Sequence, residues 1–224
     1  MARFSFIDTL NVMIKTSMVP VFYNKDLEVS KNILRACYKG GVRAFEFTNR
    51  GDKAHQVFDK LIDFAAEECP DMVLGVGSVV EPATAALYIQ LGASFVVGPC
   101  FNAEVSKVCN RRGIPYIPGC GSVTEIGNAQ ESGCVVCKVF PAGNVGGPSF
   151  VKNVKAPLPW SMLMVTGAVA PTKENLTEWM QAGVACVGMG SKLFPKEIVA
   201  KGEWDKITDL CCAALGYINE ARKK

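Results

Sequence analysis

Short apolar runs recur along the chain at 19–22, 44–48, 72–79, 95–99, 115–119, 136–141, 161–166 and 186–190, with segments of helical period between them. Their starts lie 20 to 28 residues apart, the length of one strand, one loop and one helix. Strands alternating with helices predict a parallel sheet. Gly41, Gly92, Gly113, Gly133 and Gly183 each stand a few residues ahead of a run, where a left-handed glycine would end a helix. The intervening segment 56–68 places Val57, Phe58, Leu61, Ile62 and Ala65 on one helical face, as an outer helix packed on a sheet requires. Eight such units predict a closed α/β architecture, a (β/α)8 TIM barrel, with an extra helix ahead of the first strand. No Gly-x-Gly-x-x-Gly follows the first run to favour an open dinucleotide-binding sheet.

Composition narrows this further. The 224 residues are 49% apolar and 20% charged, enough to bury one large core, and no linker or shift in composition divides them, so a single domain over 1–224 is expected. The net charge is +3, and the basic clusters Arg111-Arg112 and 222–224 carry no interleaved aromatics, which argues against a nucleic-acid partner. No apolar stretch has the roughly 18 residues a membrane span needs, and the polar start Arg3-Phe4-Ser5 does not resemble a secretory leader. The ten cysteines are therefore read as free thiols of a cytoplasmic protein rather than as a disulfide framework. His55 is the single histidine, which removes multi-histidine metal sites and histidine-assisted serine or cysteine catalysis from serious contention.

Two charges sit where a core is expected. The sixth run reads Val135-Val136-Cys137-Lys138-Val139-Phe140-Pro141, and strand alternation puts Val136, Lys138 and Phe140 on one face. Lys138 either snorkels to a rim or projects into the barrel, where desolvation favours the neutral, nucleophilic amine. Glu46 lies between Phe45 and Phe47 in the second run, with Ala44 and Thr48 on its own face. A carboxylate beside an amine can shuttle protons, although a buried structural ion pair would have the same spacing. Arg50 follows that run, where barrel loops carry catalytic groups and a guanidinium can grip a carboxylate. Late in the chain, Thr166-Gly167-Ala168 and Gly190-Ser191 follow the seventh and eighth runs. Barrels bind phosphate there, using loop N–H groups and the N-terminus of a short extra helix, here expected to start near Ser191. Cys134-x-x-Cys137 falls within a strand, where residues three apart face opposite ways, and no second pair completes a metal site.

Six motifs in order then carry a family likeness: Val19-Pro20-Val21, Gly40 to Arg50, Gly75 to Val79, Ile117 to Glu125, Cys137 to Ala142, and Thr166 to Val169. From about residue 8 to the C-terminus the chain resembles the 2-keto-3-deoxy-6-phosphogluconate aldolase / 4-hydroxy-2-oxoglutarate aldolase family. The resemblance implies a class I aldolase that needs no metal or organic cofactor. It implies that Lys138 forms a Schiff base with the keto carbon, that Glu46 moves protons, and that Arg50 with the Ser78 hydroxyl holds the pyruvyl carboxylate. Pro99, Pro118 and Phe140 would shape the pocket, and Thr166, Gly167, Ala168, Gly190 and Ser191 would form its distal, phosphate-binding end. The substrate implied is 2-keto-3-deoxy-6-phosphogluconate, cleaved to pyruvate and glyceraldehyde 3-phosphate, and the assembly implied is a homotrimer. The nearest rivals are 4-hydroxy-2-oxoglutarate and the galactonate epimer, and Thr166 leans toward the gluconate form.

The sequence departs from the family pattern at Ser78, which stands for threonine and keeps the hydroxyl, and at Ala168, which stands for a glycine. A positive φ at Ala168 would cost about 1–2 kcal/mol. A barrel that binds a phosphorylated metabolite without turning it over is an alternative of another class, and the paired charges argue against it. A metal-dependent phosphosugar barrel would need His and Asp ligands that a chain with one histidine does not supply.

Overall fold

The structure, a computed structural model, describes residues 2–223. Helix α1 (Phe6–Thr16) precedes the first strand. It starts at Ser5, whose hydroxyl accepts the Asp8 N–H at 3.1 Å, and stops at Ser17 in a left-handed conformation. Strands β1 (Met18–Phe22), β2 (Ala44–Thr48), β3 (Val73–Gly77), β4 (Val96–Val97), β5 (Tyr116–Ile117), β6 (Gly119–Cys120), β7 (Val136–Val139), β8 (Met162–Thr166) and β9 (Cys186–Met189) follow, with helices between successive units. All the pairings are parallel, in the order β5-β4-β3-β2-β1-β9-β8-β7-β6.

Eight apolar runs become nine strands because Pro118 interrupts the fifth. Proline has no N–H to donate to a ladder, so β5 and β6 are two halves of one stave. The first half pairs with β4 and the second with β7, so the stave stands at both ends of the strand order and closes the ring into a (β/α)8 barrel. The Pro118 carbonyl still accepts the Lys138 N–H at 2.8 Å.

The five glycines expected to end helices all have positive φ, from 62° to 105°. The core has two parts. The larger lies between sheet and outer helices, with Phe47, Phe58, Leu61 and Trp179 fully buried within it. The smaller holds Val19, Ala44, Val73, Val97, Ile117, Val136, Met164 and Cys186, one from each stave, together with Phe95 just ahead of β4 and with Leu10 and Met13 of α1. This is the lumen, plugged at its N-terminal end by α1. Ala44 and Val136 share strand faces with Glu46 and Lys138, so both charges point into the barrel, one layer above the apolar plug.

Candidate active site

Side chains as long as glutamate and lysine fit inside an eight-stranded barrel only if neighbouring positions are small. The register sets Glu46 opposite Gly75, and the next inward-facing position on β3 is Gly77, where any Cβ would overlap the Glu46 carboxylate. Gly188 gives way in the same manner to the Thr166 hydroxyl. Both glycines thus leave room for a polar side chain of the neighbouring stave, a requirement that the order of residues alone does not show.

Glu46 is 1% exposed and Lys138 6%. Glu46 Oε2 has no hydrogen-bond partner among the described residues, and desolvation holds its carboxyl above the usual carboxylate range against the opposing attraction of Lys138 and Arg50. The Lys138 ammonium stands 4.9 Å from the centre of the Phe140 ring, a cation–π contact that helps hold the side chain upright in the lumen.

Above them opens a cavity of about 320 Å3. Its walls come from the C-terminal ends of five contiguous staves: Phe140 after β7, Thr166 to Val169 at the end of β8, Gly190 to Lys192 after β9, Phe22 and Tyr23 at β1, and Thr48 and Arg50 at β2. Arg50 Nε reaches Ser78 Oγ at 3.4 Å. The Arg50 loop is anchored where the Asn49 N–H donates to the Gly77 carbonyl at 2.8 Å and Tyr88 donates to Asn49 Oδ1 at 2.8 Å. Tyr88 sits on an outer helix, so no local pattern reveals that it positions the arginine. A larger cavity of about 460 Å3, lined by Lys15, Arg43, Asp71 and Asn219 among others, opens at the opposite end of the barrel, away from both buried charges.

The structure sets Arg50, Phe140, Thr166, Gly167, Ala168, Gly190 and Ser191 on the wall of this cavity above the buried charges, while Lys138 and Glu46 lie buried in the lumen and Ser78 stands beside Arg50, none of the three on the wall itself. Pro99 and Pro118 do not line it either; the Pro99 carbonyl packs where a Gly119 Cβ would stand, and Pro118 serves the stave break. The helix expected from Ser191 is corrected. A turn forms instead, with the Leu193 N–H donating to the Gly190 carbonyl at 2.9 Å, and the next helix is the five-residue segment Lys196–Ala200. Pro195 is the reason, because it disfavours helical geometry at the preceding Phe194. Ala168 does adopt positive φ, at 61°. Its loop is braced by Asn175, which accepts the Ala170 N–H at 2.8 Å and donates to the Ala168 carbonyl at 3.3 Å. Lys192 and Tyr23, which no motif or periodicity in the sequence singles out, also stand on the cavity wall.

Residues 9–210 match the family model for KDPG and KHG aldolase. The chain belongs to this family. It is accordingly a class I aldolase, a carbon–carbon lyase. The aldolase is 31% identical over 210 residues to the 2-dehydro-3-deoxy-phosphogluconate aldolase of Pseudoalteromonas atlantica, covering 93% of this chain and 94% of that one. It is 30% identical over 199 residues to the KHG/KDPG aldolase of Escherichia coli K12, covering 88% and 90%. Among solved structures, the KDPG aldolase of Legionella pneumophila, with pyruvate captured at low pH as a covalent carbinolamine, superposes at a TM-score of 0.83 with 30% identity, covering 92% of this aldolase and 97% of that chain.

Proposed function

We propose that this aldolase cleaves 2-keto-3-deoxy-6-phosphogluconate to pyruvate and glyceraldehyde 3-phosphate through a Schiff base on Lys138. The reading rests on one observation: a lysine and a glutamate, both buried, face the same lumen between a sealed apolar floor and an open cavity. Lys138 Nζ adds to the C2 carbonyl, and the carbinolamine loses water to give a protonated imine. As the C4 hydroxyl gives up its proton, the C3–C4 electron pair moves into the imine and the aldehyde leaves. The enamine then takes a proton at C3, and water releases pyruvate. Glu46 is the group placed to accept and return these protons, and a carboxyl raised by burial exchanges them closer to neutral pH than an exposed one. Arg50 and Ser78 hold the pyruvyl carboxylate at the β2 and β3 side, while Thr166, Gly167, Ala168, Gly190 and Ser191 receive the distal end. Phe140 walls the cavity between the two, and no cofactor is needed.

Incubation with pyruvate and sodium borohydride, followed by digestion and mass spectrometry, is expected to find a reduced adduct on Lys138; an unmodified Lys138 overturns the Schiff-base role. Turnover of 4-hydroxy-2-oxoglutarate and of the galactonate epimer, measured beside the gluconate substrate, assigns the physiological acid. The ten cysteines are all free, which supports a reducing, cytoplasmic setting, and no helix among the described residues is long and apolar enough to cross a membrane. Ile7, Val80, Leu87, Val123, Val135 and Trp160 are large apolar side chains left 42% to 68% exposed, which is compatible with self-association, and the family resemblance makes a homotrimer the form proposed.

A further inference from the structure

The cavity wall carries two cations and no carboxylate. Arg50 lies at the β2 side and Lys192 follows β9, with the β1 stave between them. Arg50 already has the Ser78 hydroxyl beside it, whereas no ion pair or hydrogen bond among the described residues engages Lys192. On the same wall, the buried Thr166 Oγ1 has no partner among the described residues. The helix N-terminus that could have drawn an anion to this end is replaced by a turn, and the neighbouring loop carries the Ala168 methyl group rather than a bare glycine. The backbone at this end thus supplies less to an anion than a helix terminus would, and the exposed Lys192 ammonium stands on the same wall. Lysine suits this place because its four-carbon stem lets a point charge follow a terminal group whose position varies.

We infer that Lys192 is the specificity-determining residue for the distal end of the substrate: its ammonium pairs with a terminal anion, and it selects 2-keto acids that carry one. The inference rests on the aldolase reading and deepens it. Lys192 takes no part in bond making. Its charge is felt in substrate binding, as one charge-assisted contact at a partly solvated site.

The test uses the full chain with Lys192→Met, which keeps the length of the side chain and removes the charge, and with Lys192→Arg. For the phosphorylated keto acid, Lys192→Met is expected to raise KM roughly tenfold, the range of one hydrogen bond to a charged group, with kcat within about twofold. The unphosphorylated keto acid should show no change in KM, and Lys192→Arg should recover most of the lost preference. Glycerol 3-phosphate, an unreactive phosphate ester, should raise the melting temperature of the unmodified protein and, at the same concentration, raise that of Lys192→Met by clearly less. An equal effect on both substrates, an unchanged KM ratio, or an unchanged thermal shift in Lys192→Met each overturns the inference. The pyruvate adduct keeps the two readings apart: its absence from the unmodified protein sinks the Schiff-base assignment, while the glycerol 3-phosphate shift still reports on Lys192.

Discussion

Glu46 and Ala168 hold unfavourable states, and each makes a measurable claim. The folded value of Glu46 lies above the ordinary 4.5, so below about pH 4.5 it is protonated in both folded and unfolded chains and costs nothing through ionisation. As pH rises the unfolded chain gives up its proton first, and native stability falls until the folded carboxyl also ionises. Glu46→Gln removes that loss. Its stability relative to the unmodified protein, measured by urea unfolding, should therefore rise between pH 4 and pH 8; a constant difference across that range would contradict the raised value. At Ala168 the left-handed backbone costs about 1–2 kcal/mol, and its Cβ lies 2.6 Å from where a Cβ on Gly143 would stand. Ala168→Gly should be neutral to slightly stabilising, since relief of strain exceeds the added chain entropy of roughly 0.5–1 kcal/mol. Gly143→Ala should cost about 1–3 kcal/mol through overpacking, and most of that cost should vanish in the Ala168→Gly background. Additivity in this double-mutant cycle would mean that the two residues do not meet.

At the scale of elements, the site depends on strands that alternate large and small residues across the lumen. Gly77 on β3 makes room for Glu46 on β2, so Gly77→Ala should displace the carboxylate and lower kcat by on the order of tenfold or more, with KM for pyruvate-type ligands less affected. An activity equal to that of the unmodified protein would show that the carboxylate can move without consequence. Helix α1 closes the floor with Met13, which is fully buried. Met13→Ala should destabilise the fold by about 2–5 kcal/mol, read as a lowered urea midpoint, while leaving the pyruvate adduct intact in the folded fraction.

For the whole molecule, the division of labour follows the barrel axis: α1 and the apolar layer seal the N-terminal end, and the C-terminal loops bind. Under the proposed trimer, analytical ultracentrifugation is expected to give a trimer for the unmodified chain and smaller species for Val80→Glu, since a charge on the exposed apolar Val80 would oppose its burial on association. A monomer across the micromolar range would remove the trimer.

Periodicity alone specified the eight units, the glycine ends of five helices, and that Ala44 shares a face with Glu46 and Val136 with Lys138, while only the closed barrel made those faces the inward ones. The periodic features repeat every two residues or every turn, so their cause is local and visible in the order of residues. The roles of Gly77, Gly188 and Tyr88 were not visible, because each acts on a residue of another stave or helix, and local spacing carries no record of what lies opposite. The split at Pro118 depended on the same distant information, since only the closed ring gives the two halves of that stave different partners. Lys192 and the turn at Ser191 belong here too: a lysine in a loop becomes a candidate recognition group only once the fold carries it to the cavity that Arg50 enters from the other side.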